Sequence, residues 1–492
     1  MGSIKKLAGQ TAIYGLSSII GRLLNYLLVP FYTRIFTPSE YGVVSELLAY
    51  VSFLMILFTY GMETSFFHFS EKETDRNKVY TTGALSLLGS SFFLSGIMIL
   101  FSSSIASWIQ YPKHPEYITW FALILALDAL CALPFARLRQ QNKAKRFAGI
   151  KIINILVNIG FNIFFLVLCP KWIHEQGFLK ELTDLVYSPK IEVGYVFISF
   201  LISSLVTLLF LLPEFRGLKI EFDSALWKQM IVYSFPLLIA GFAGMVNETF
   251  DRAVYKYLAP DKTVALKQLG IYSACYKLSI VMTLFIQTFR YAAEPFFFSQ
   301  RKNENNKLVY ARVMKYFIIT CSFIFLVVML YIDIFKLFIG EDFRKGIAVV
   351  PILLLANMCL GIFYNLSMWY KLTGQTRFGA YFSILGAVLT IILLWSLIPS
   401  MGYMGAAWAT LIVYAAMMVL SYVTGQKHYR IDYDLGANFT IIGLALIIYF
   451  ANLGIEKILK PGELTGYFIS TILLLAFAGF IFVLEKPKLK QA

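Results

Sequence analysis

The sequence has little charge for its length. Of its 492 residues only 14% are Asp, Glu, Lys or Arg, whereas a soluble domain has about 25%. Hydrophobic residues make up 59% of the chain, and the mean hydropathy is +0.70. This composition excludes a soluble globular protein and indicates a chain that lies largely within a membrane.

Cysteine and histidine are scarce as well, with 5 and 4 residues. Disulfide frameworks and metal sites need these residues at characteristic spacings. The histidines are scattered singly, and the cysteines lie apart in apolar stretches, at Cys131, Cys169, Cys275, Cys321 and Cys359. The sequence therefore predicts no disulfide framework and no metal site.

The sequence also lacks the short alternating segments that are typical of a transmembrane β-barrel. It has instead apolar runs of about 20 residues, each long enough for a helix to cross a bilayer core of about 30 Å. Backbone groups find no water there, which favours helices. We therefore predict an all-α polytopic membrane protein with about fourteen transmembrane helices. The predicted spans are 8–35, 40–62, 79–109, 116–136, 146–169, 193–212, 229–256, 269–290, 308–332, 347–366, 378–398, 402–423, 437–456 and 464–484.

Basic residues outnumber acidic ones, 43 to 28. If both chain ends face the cytoplasm, more than half of the basic residues fall in cytoplasmic segments, in agreement with the positive-inside rule. The basic segment 137–147 contributes 5 of them. The excess therefore indicates cytoplasmic N- and C-termini, and we expect no nucleic acid as a partner. The first span has no signal-peptide cleavage pattern, and we expect it to be retained.

Large loops are absent between the predicted spans. The longest external connection runs from 170 to 192, and the chain contains no nucleotide-binding P-loop. No soluble catalytic domain is present in this pattern. We therefore expect a transporter rather than an enzyme, without catalytic residues or a cofactor, that acts within its helical bundle.

A polar break after the first span occurs again in the second half of the chain. The stretch PSEYGVVS begins at Pro38, and a similar break runs from Pro260 to LGIYS. Further on, SFFHFSEKETDRNKVY (65–80) is similar to PFFFSQRKNENNKLVY (295–310). Such recurrence favours a six-plus-six internal duplication, which transporters use to place a substrate site between two halves.

This duplication predicts the domain organisation. We expect an N-terminal lobe over 1–213 and a second six-helix lobe over 229–425. A cytoplasmic amphipathic linker over 214–228 would join them along the membrane surface. An extra helix pair would occupy 436–485.

These features resemble the multidrug/oligosaccharidyl-lipid/polysaccharide (MOP) exporter superfamily, and within it the Wzx-type polysaccharide flippases. The resemblance rests on PSEYG (38–42), FDR (250–252), LGIYSACYK (269–277) and the fourteen-span plan. It implies two six-helix lobes in a V-shaped, MATE-like arrangement around a central cavity.

The resemblance also implies a function. Proteins of this type move isoprenoid-pyrophosphate-linked oligosaccharide units from the cytoplasmic to the outer leaflet of the bacterial inner membrane by alternating access. The units serve the biosynthesis of surface polysaccharide, such as O-antigen in lipopolysaccharide, capsule or exopolysaccharide. The expected partners are the lipid-linked oligosaccharide and the bilayer, with a polysaccharide polymerase as a further candidate.

Charged residues within the predicted spans are candidates for the site. A charge at the bilayer centre costs roughly 2.5–3.5 kcal/mol or more. We expect Arg22, Arg252 and Lys277 to face a watery cavity and bind the pyrophosphate, with Asn25 beside Arg22. The competing interpretation is that these side chains form structural ion pairs or extend to the membrane interface.

Acidic residues in the spans have two interpretations. Asp128, Glu248 and Asp251 either pair with the cations or bind a coupling ion, H⁺ or Na⁺. Glu46 and Arg290 lie nearer to predicted helix ends, and for these two we expect interfacial positions.

Other functions remain alternatives. A peptidoglycan-precursor flippase or a cation-coupled multidrug exporter would have the same fold, although Arg22 and Lys277 favour an anionic substrate. A membrane polysaccharide polymerase or ligase would be expected to carry a larger external loop with clustered catalytic residues.

Overall fold

The computed structural model describes residues 26–73, 75–175, 178–216, 219–300, 306–460 and 462–489. In these ranges all regular secondary structure is helical, which confirms the all-α prediction. The chain divides into two compact units between Ala253 and Val254. The lobe, linker and helix-pair boundaries inferred from the sequence stay predictions.

The first unit contains the following helices and helical turns: α1 (Leu28–Ile35), α2 (Pro38–Thr59), α3 (Met62–Lys72), α4 (Arg76–Leu100), α5 (Ser102–Trp108), α6 (Pro115–Gln140), α7 (Ala144–Ile163), a π-helical turn (Phe164–Leu168), a short helix (Cys169–Trp172), α8 (Phe178–Val186), a 3-10 turn (Pro189–Ile191), α9 (Gly194–Leu211), a second 3-10 turn (Leu212–Phe215) and most of α10 (Ser224–Leu258).

The second unit contains α11 (Ala265–Leu278), α12 (Ile280–Gln300), α13 (Asn306–Leu330), a short helix (Ile332–Phe335), two 3-10 segments (Lys336–Phe338 and Glu341–Val349), α14 (Val350–Leu366), a short helix (Met368–Leu372), α15 (Arg377–Met401), α16 (Tyr403–His428), α17 (Leu435–Leu459) and α18 (Glu463–Leu489).

Most of these helices can span a membrane. Within the described part of the chain, 12 helices are long and apolar enough to do so. The helices α11 and α12 are bent by 49° at the break between them, and counted together as one span they bring the number to 13. Each coincides with one of the predicted spans. The remaining predicted span, 8–35, lies mostly outside the described residues, which include only its end in α1.

The polar break before α2 is a helix-capping motif. The Thr37 hydroxyl accepts the backbone N–H of Glu40 at 3.4 Å, and the Glu40 carboxylate accepts the backbone N–H of Thr37 at 2.7 Å. Pro38 occupies the first turn, where its missing N–H costs nothing. This capping box satisfies the free N–H groups at the start of α2, so a new helix can begin within a few residues of α1.

The core of the first unit forms where α3, α4, α6 and α10 meet. Met62, Phe66, Tyr80, Leu133 and Met230 are buried together there. Lipid tails are as apolar as these side chains, so close packing and hydrogen bonds, rather than the hydrophobic effect, hold membrane helices together.

The second unit shows such close packing on α14. A Cβ added at Gly361 would lie 2.5 Å from Cζ of Phe317 on α13 and 3.0 Å from the Ile286 side chain on α12. Only a glycine allows the three helices to approach this closely. α14 is thereby positioned along the bent span formed by α11 and α12.

The segment before α10 is tied to the first unit by basic residues. Glu214 is buried, and its carboxylate lies 2.8 Å from Arg146. The backbone carbonyl of Glu214 accepts a hydrogen bond from Arg137 at 2.6 Å. Two arginines of the basic segment 137–147 thus contact the segment before α10.

Candidate functional site

The predicted site residues are distributed over both units. The structure describes five of them: Asp128, Glu248, Asp251 and Arg252 in the first unit and Lys277 in the second. The other two, Arg22 and Asn25, lie outside the described residues.

Arg252 lies on α10 within electrostatic range of the Tyr41 phenol. It is half-buried, and its backbone N–H donates to the carboxylate of the buried Asp251 at 2.8 Å. Its charge acts on the phenol of Tyr41 on α2, which in turn lies within electrostatic range of Tyr32 on α1. The three helices thus bring a cation and several polar groups together inside the first unit.

Glu248 precedes Arg252 by four residues, so both lie on one face of α10. Glu248 is exposed. A carboxyl side chain that faces lipid is costly, so this face of α10 is a candidate for contact with water. Asp251 is turned towards the protein interior instead.

Glu46 lies on α2 and is completely buried within the protein. One of its carboxylate oxygens is 2.6 Å from the hydroxyl of Tyr50, and the other is 2.5 Å from the hydroxyl of Tyr111, which lies between α5 and α6. The Tyr50 hydroxyl is also 3.0 Å from the backbone carbonyl oxygen of Ala253 on α10. We refer to Glu46, Tyr50, Tyr111 and Ala253 as the carboxyl cluster.

Asp128 on α6 is surrounded by polar groups from two other helices. Ser204 on α9 and the positive charge of Lys151 on α7 lie within electrostatic range of its carboxylate. The ammonium group of Lys151 also lies 4.1 Å from the centre of the Phe135 ring. This environment fits the interpretation of Asp128 as a paired acid.

Lys151 begins a polar stripe along α7. The stripe continues with Asn154, Asn158 and Asn162, spaced three or four residues apart and therefore on one helix face. Asn154 donates to Thr207 on α9 at 2.8 Å, and Asn162 accepts from Tyr32 at 2.8 Å. Hydrogen-bonded polar residues thus cross the apolar interior of the first unit.

Lys277 lies in the last turn of α11, two residues before the break at Ser279. Ser279 is buried, donates to the carbonyl of Tyr276 at 2.7 Å and accepts from Asn357 on α14 at 3.2 Å. Lys277 therefore lies beside a bend that is stabilised by the hydrogen bond between Asn357 and Ser279.

Arg290 and Glu294 form a charged group further along α12. Lys371 and Arg290 both approach the Glu294 carboxylate, Arg290 at 3.7 Å. The guanidinium group of Arg290 lies 4.5 Å from the centre of the Tyr364 ring. Two cations thus share one acid in this part of the second unit.

The sequence interpretation missed several of these residues. It overlooked Lys151 and the asparagine stripe, although the regular spacing of polar residues on an apolar helix was a readable signal. Tyr50 lies one turn after Glu46 and could have been noticed in the same way. Tyr111 could not have been noticed from the sequence, because only the tertiary structure brings it close to α2.

Comparisons with known proteins place these features in a family. The sequence model of the family described as "Polysaccharide biosynthesis protein" matches residues 7–300. No curated protein matches the sequence.

Solved structures share the fold. A lipid II flippase MurJ in an inward closed conformation superposes with a TM-score of 0.72 at 14% identity, covering 95% of this chain and 98% of that one. An inward-facing multidrug resistance MATE family transporter of the MOP superfamily gives 0.63 at 13% identity, covering 85% and 94%. An outward-facing structure of a MATE family transporter gives 0.56 at 14%, covering 85% and 94%.

At these identities the solved structures establish the fold alone, which is that of MurJ and MATE transporters. The family match extends over more than half of the chain and agrees with the resemblance seen in its motifs. The chain therefore belongs to the polysaccharide biosynthesis protein family, the Wzx-type flippases of the MOP superfamily, and is a multi-pass membrane protein.

Proposed function

We propose that this protein moves isoprenoid-pyrophosphate-linked oligosaccharide units from the cytoplasmic to the outer leaflet of the bacterial inner membrane. The observation that carries the proposal is the family match over residues 7–300. The units would serve surface polysaccharide biosynthesis, and both chain ends would face the cytoplasm. The protein would act as a transporter by alternating access and not as an enzyme.

The environment of Arg252 supports an anionic substrate. Its guanidinium group can form paired hydrogen bonds with phosphate oxygens, and the exposed Glu248 on the same face of α10 indicates water there. Arg22, Asn25 and Lys277 would complete the binding of pyrophosphate and sugar. Lys277 would provide a compact positive charge for the pyrophosphate.

The acids would have different roles. Asp128, which has the Lys151 charge and the Ser204 hydroxyl beside it, would act as a paired acid within the first unit. Glu248 and Asp251 would balance the charge of Arg252 or bind a coupling ion, H⁺ or Na⁺. A polysaccharide polymerase would receive the units after transport.

The test is to locate the lipid-linked oligosaccharide in cells that lack the gene. We expect complete units to accumulate in the cytoplasmic leaflet, and a plasmid copy of the gene to restore export. Unpolymerised units in the outer leaflet would overturn the proposal in favour of a polymerase or ligase. Accumulated peptidoglycan precursor would indicate a precursor flippase. An unchanged distribution, with loss of drug resistance, would indicate a multidrug exporter.

A further inference from the structure

A cavity of about 440 Å³ lies in the first unit, between the end of α2, the helix α4 and the first part of α10. Its apolar wall includes Leu85 and Gly89 on α4, and Ile231, Phe235 and Leu238 on α10. Pockets that bind small molecules usually measure about 300–1,000 Å³ and combine an apolar lining with a few polar groups. The size and the lining of this cavity are therefore those of a binding site.

The cavity runs along the helices from the end at which α4 and α10 both begin. The salt bridge of 2.6 Å between Lys78 and Asp223 marks this end. On α10 the lining extends from Trp227 to Leu238, which at 1.5 Å per residue is roughly 16 Å. The hydrocarbon core of a bilayer is about 30 Å thick, so the cavity has about the depth of one leaflet.

The mouth of the cavity faces an apolar environment. Val232 and Phe235, on the same stretch of α10, are 66% and 59% exposed. Such side chains are stable at the surface of a membrane-spanning helix when they contact lipid rather than water. A lipid chain can therefore enter the cavity from the bilayer.

Four polar side chains form a hydroxyl cluster inside the cavity: Tyr60, Ser86, Ser90 and Trp227. The indole N–H of Trp227 donates to the Ser86 hydroxyl at 2.7 Å, and the hydroxyls of Ser86 and Tyr60 are 2.7 Å apart. Ser90 donates to the Tyr60 hydroxyl at 3.3 Å or to the carbonyl of Leu87 at 3.2 Å.

The hydroxyl cluster has one hydrogen more than it uses. Each hydroxyl carries a single hydrogen, and only one of Tyr60 and Ser86 can donate to the other. The hydrogen of the second hydroxyl has no acceptor among the described residues. A ligand that fits this cavity should therefore bring an acceptor oxygen to the hydroxyl cluster.

The acyl chain of a phospholipid combines these properties. It is a hydrocarbon chain of leaflet length, and its ester carbonyl is an acceptor at the polar end. The isoprenoid chain of a lipid-linked sugar has no carbonyl and would leave the hydroxyl cluster without an acceptor. Lys219 and Lys228 are exposed near the end where α10 begins, and their charges suit a lipid phosphate.

We propose that this cavity binds one acyl chain of a bilayer phospholipid, with the ester carbonyl accepting a hydrogen bond from the hydroxyl cluster. None of the candidate substrate-binding residues lines the cavity. The proposal does not rest on the proposed function, and either can fail without the other.

The bound chain would contact a break in a membrane span. The stretch from Pro38 to Lys72 is long enough to cross the membrane, but it is interrupted between α2 and α3, where Tyr60 and Gly61 have positive φ angles of 32° and 71°. A tyrosine rarely adopts such a conformation. An acyl chain packed beside Tyr60 would therefore stabilise the interrupted span.

Photolabelling tests the site. The full chain would be placed in phosphatidylethanolamine vesicles that contain a trace of the same lipid with a diazirine in its acyl chain, and labelled residues would be mapped by mass spectrometry. We expect strong labelling of the segment 227–238, lowered severalfold in Gly89→Leu. A Cβ at Gly89 would meet nothing within 4 Å, so the leucine enters the cavity without a clash at its Cβ.

Gly96→Leu is the matched control. Gly96 lies on the same helix, also has open space around an added Cβ and does not line the cavity. Labelling of 227–238 should stay at the wild-type level in this variant. Equal labelling of that segment in wild type and Gly89→Leu would overturn the proposal, because it would show only general contact with the bilayer.

A second experiment uses the wild-type chain and identifies the ligand. The surrounding lipid would be replaced by ether-linked phosphatidylethanolamine, which lacks the carbonyl and should compete less well with the labelled ester. We expect the labelling of 227–238 to rise severalfold. Unchanged labelling would overturn the contact between the carbonyl and the hydroxyl cluster.

Adding a polyprenyl phosphate to the ester-linked vesicles distinguishes the other occupant. Labelling of 227–238 that does not change on this addition supports a phospholipid site. Loss of the label would overturn the proposal and assign the cavity to the isoprenoid chain.

Discussion

At the scale of the residue, the candidates for function are charged side chains on the membrane-spanning helices. Arg252 is half-buried beside Asp251 and within range of Tyr41. The position of Arg252 could be read from the motif FDR, but its neighbour Tyr41 on α2 could not be read from the sequence.

Arg252→Ala should abolish export while the protein level stays normal, because it removes the guanidinium group proposed to bind pyrophosphate. Lys145→Ala is the matched control, since Lys145 is an exposed cation in the basic segment. Accumulation of lipid-linked units in the cytoplasmic leaflet would be measured for both variants. Full export by Arg252→Ala would rule out this role.

At the scale of the element, polar contacts fix where helices begin and bend. Asp223 precedes α10, accepts the backbone N–H groups of Ala225 and Leu226 at 2.9 Å and pairs with Lys78 at 2.6 Å. The Lys78 ammonium and these N–H groups lower the pKa of Asp223 below its usual value. The contacts thereby favour the ionised carboxylate in the folded protein.

Asp223→Ala should lower the thermal unfolding temperature at neutral pH, because α10 loses its cap. A folded pKa below the unfolded one stabilises the protein above the unfolded value, about 3.9, and this contribution is lost as the pH falls through the folded pKa. The difference between wild type and variant should therefore shrink on acidification. A difference that is constant with pH would contradict the role of the ionised group.

The bend between α11 and α12 provides a second prediction for an element. Asn357→Ala removes the donor to Ser279, leaves a buried hydroxyl with fewer partners and should lower the unfolding temperature. Asn365→Ala is the control on the same helix, because the amide nitrogen of Asn365 is buried and has no hydrogen-bond partner among the described residues. Equal losses in both variants would show that the Ser279 contact is not what stabilises the bend.

At the scale of the whole molecule, a buried ion pair attaches the last helix, α18, to α13 within the second unit. Lys315 on α13 and Glu485 on α18 are 5% and 8% exposed and contact each other. Ser470 on α18 also donates to the carbonyl of Leu330 at 3.0 Å. These contacts fasten α18 to α13.

Removing α17 and α18 should destabilise the remaining chain, because Lys315 would lose its partner. Breaking a buried pair from one side costs about 3–5 kcal/mol. Adding Lys315→Met to the truncated chain should restore part of the stability, measured as unfolding temperature in detergent. A truncated chain that is unaffected by Lys315→Met would show that the ion pair is not the main attachment.

The sequence by itself determined the class of the protein, its spans and its family. Hydropathy decides whether a segment crosses a membrane, and capping residues such as Thr37 and Pro38 act within a few positions, so both can be read locally. The asparagines of α7 can also be read locally, since their spacing alone assigns them to one face of the helix.

The tertiary structure decided what each polar group does. Glu46 could not be recognised as a buried carboxyl, because Tyr111 and Ala253 lie 65 and more than 200 positions away from it or its neighbour Tyr50. For the same reason, the sequence did not show that Lys151 lies within electrostatic range of Asp128 or that Lys315 pairs with Glu485. In an apolar interior a charge is stabilised by whichever groups the fold brings to it, and those groups come from distant parts of the chain.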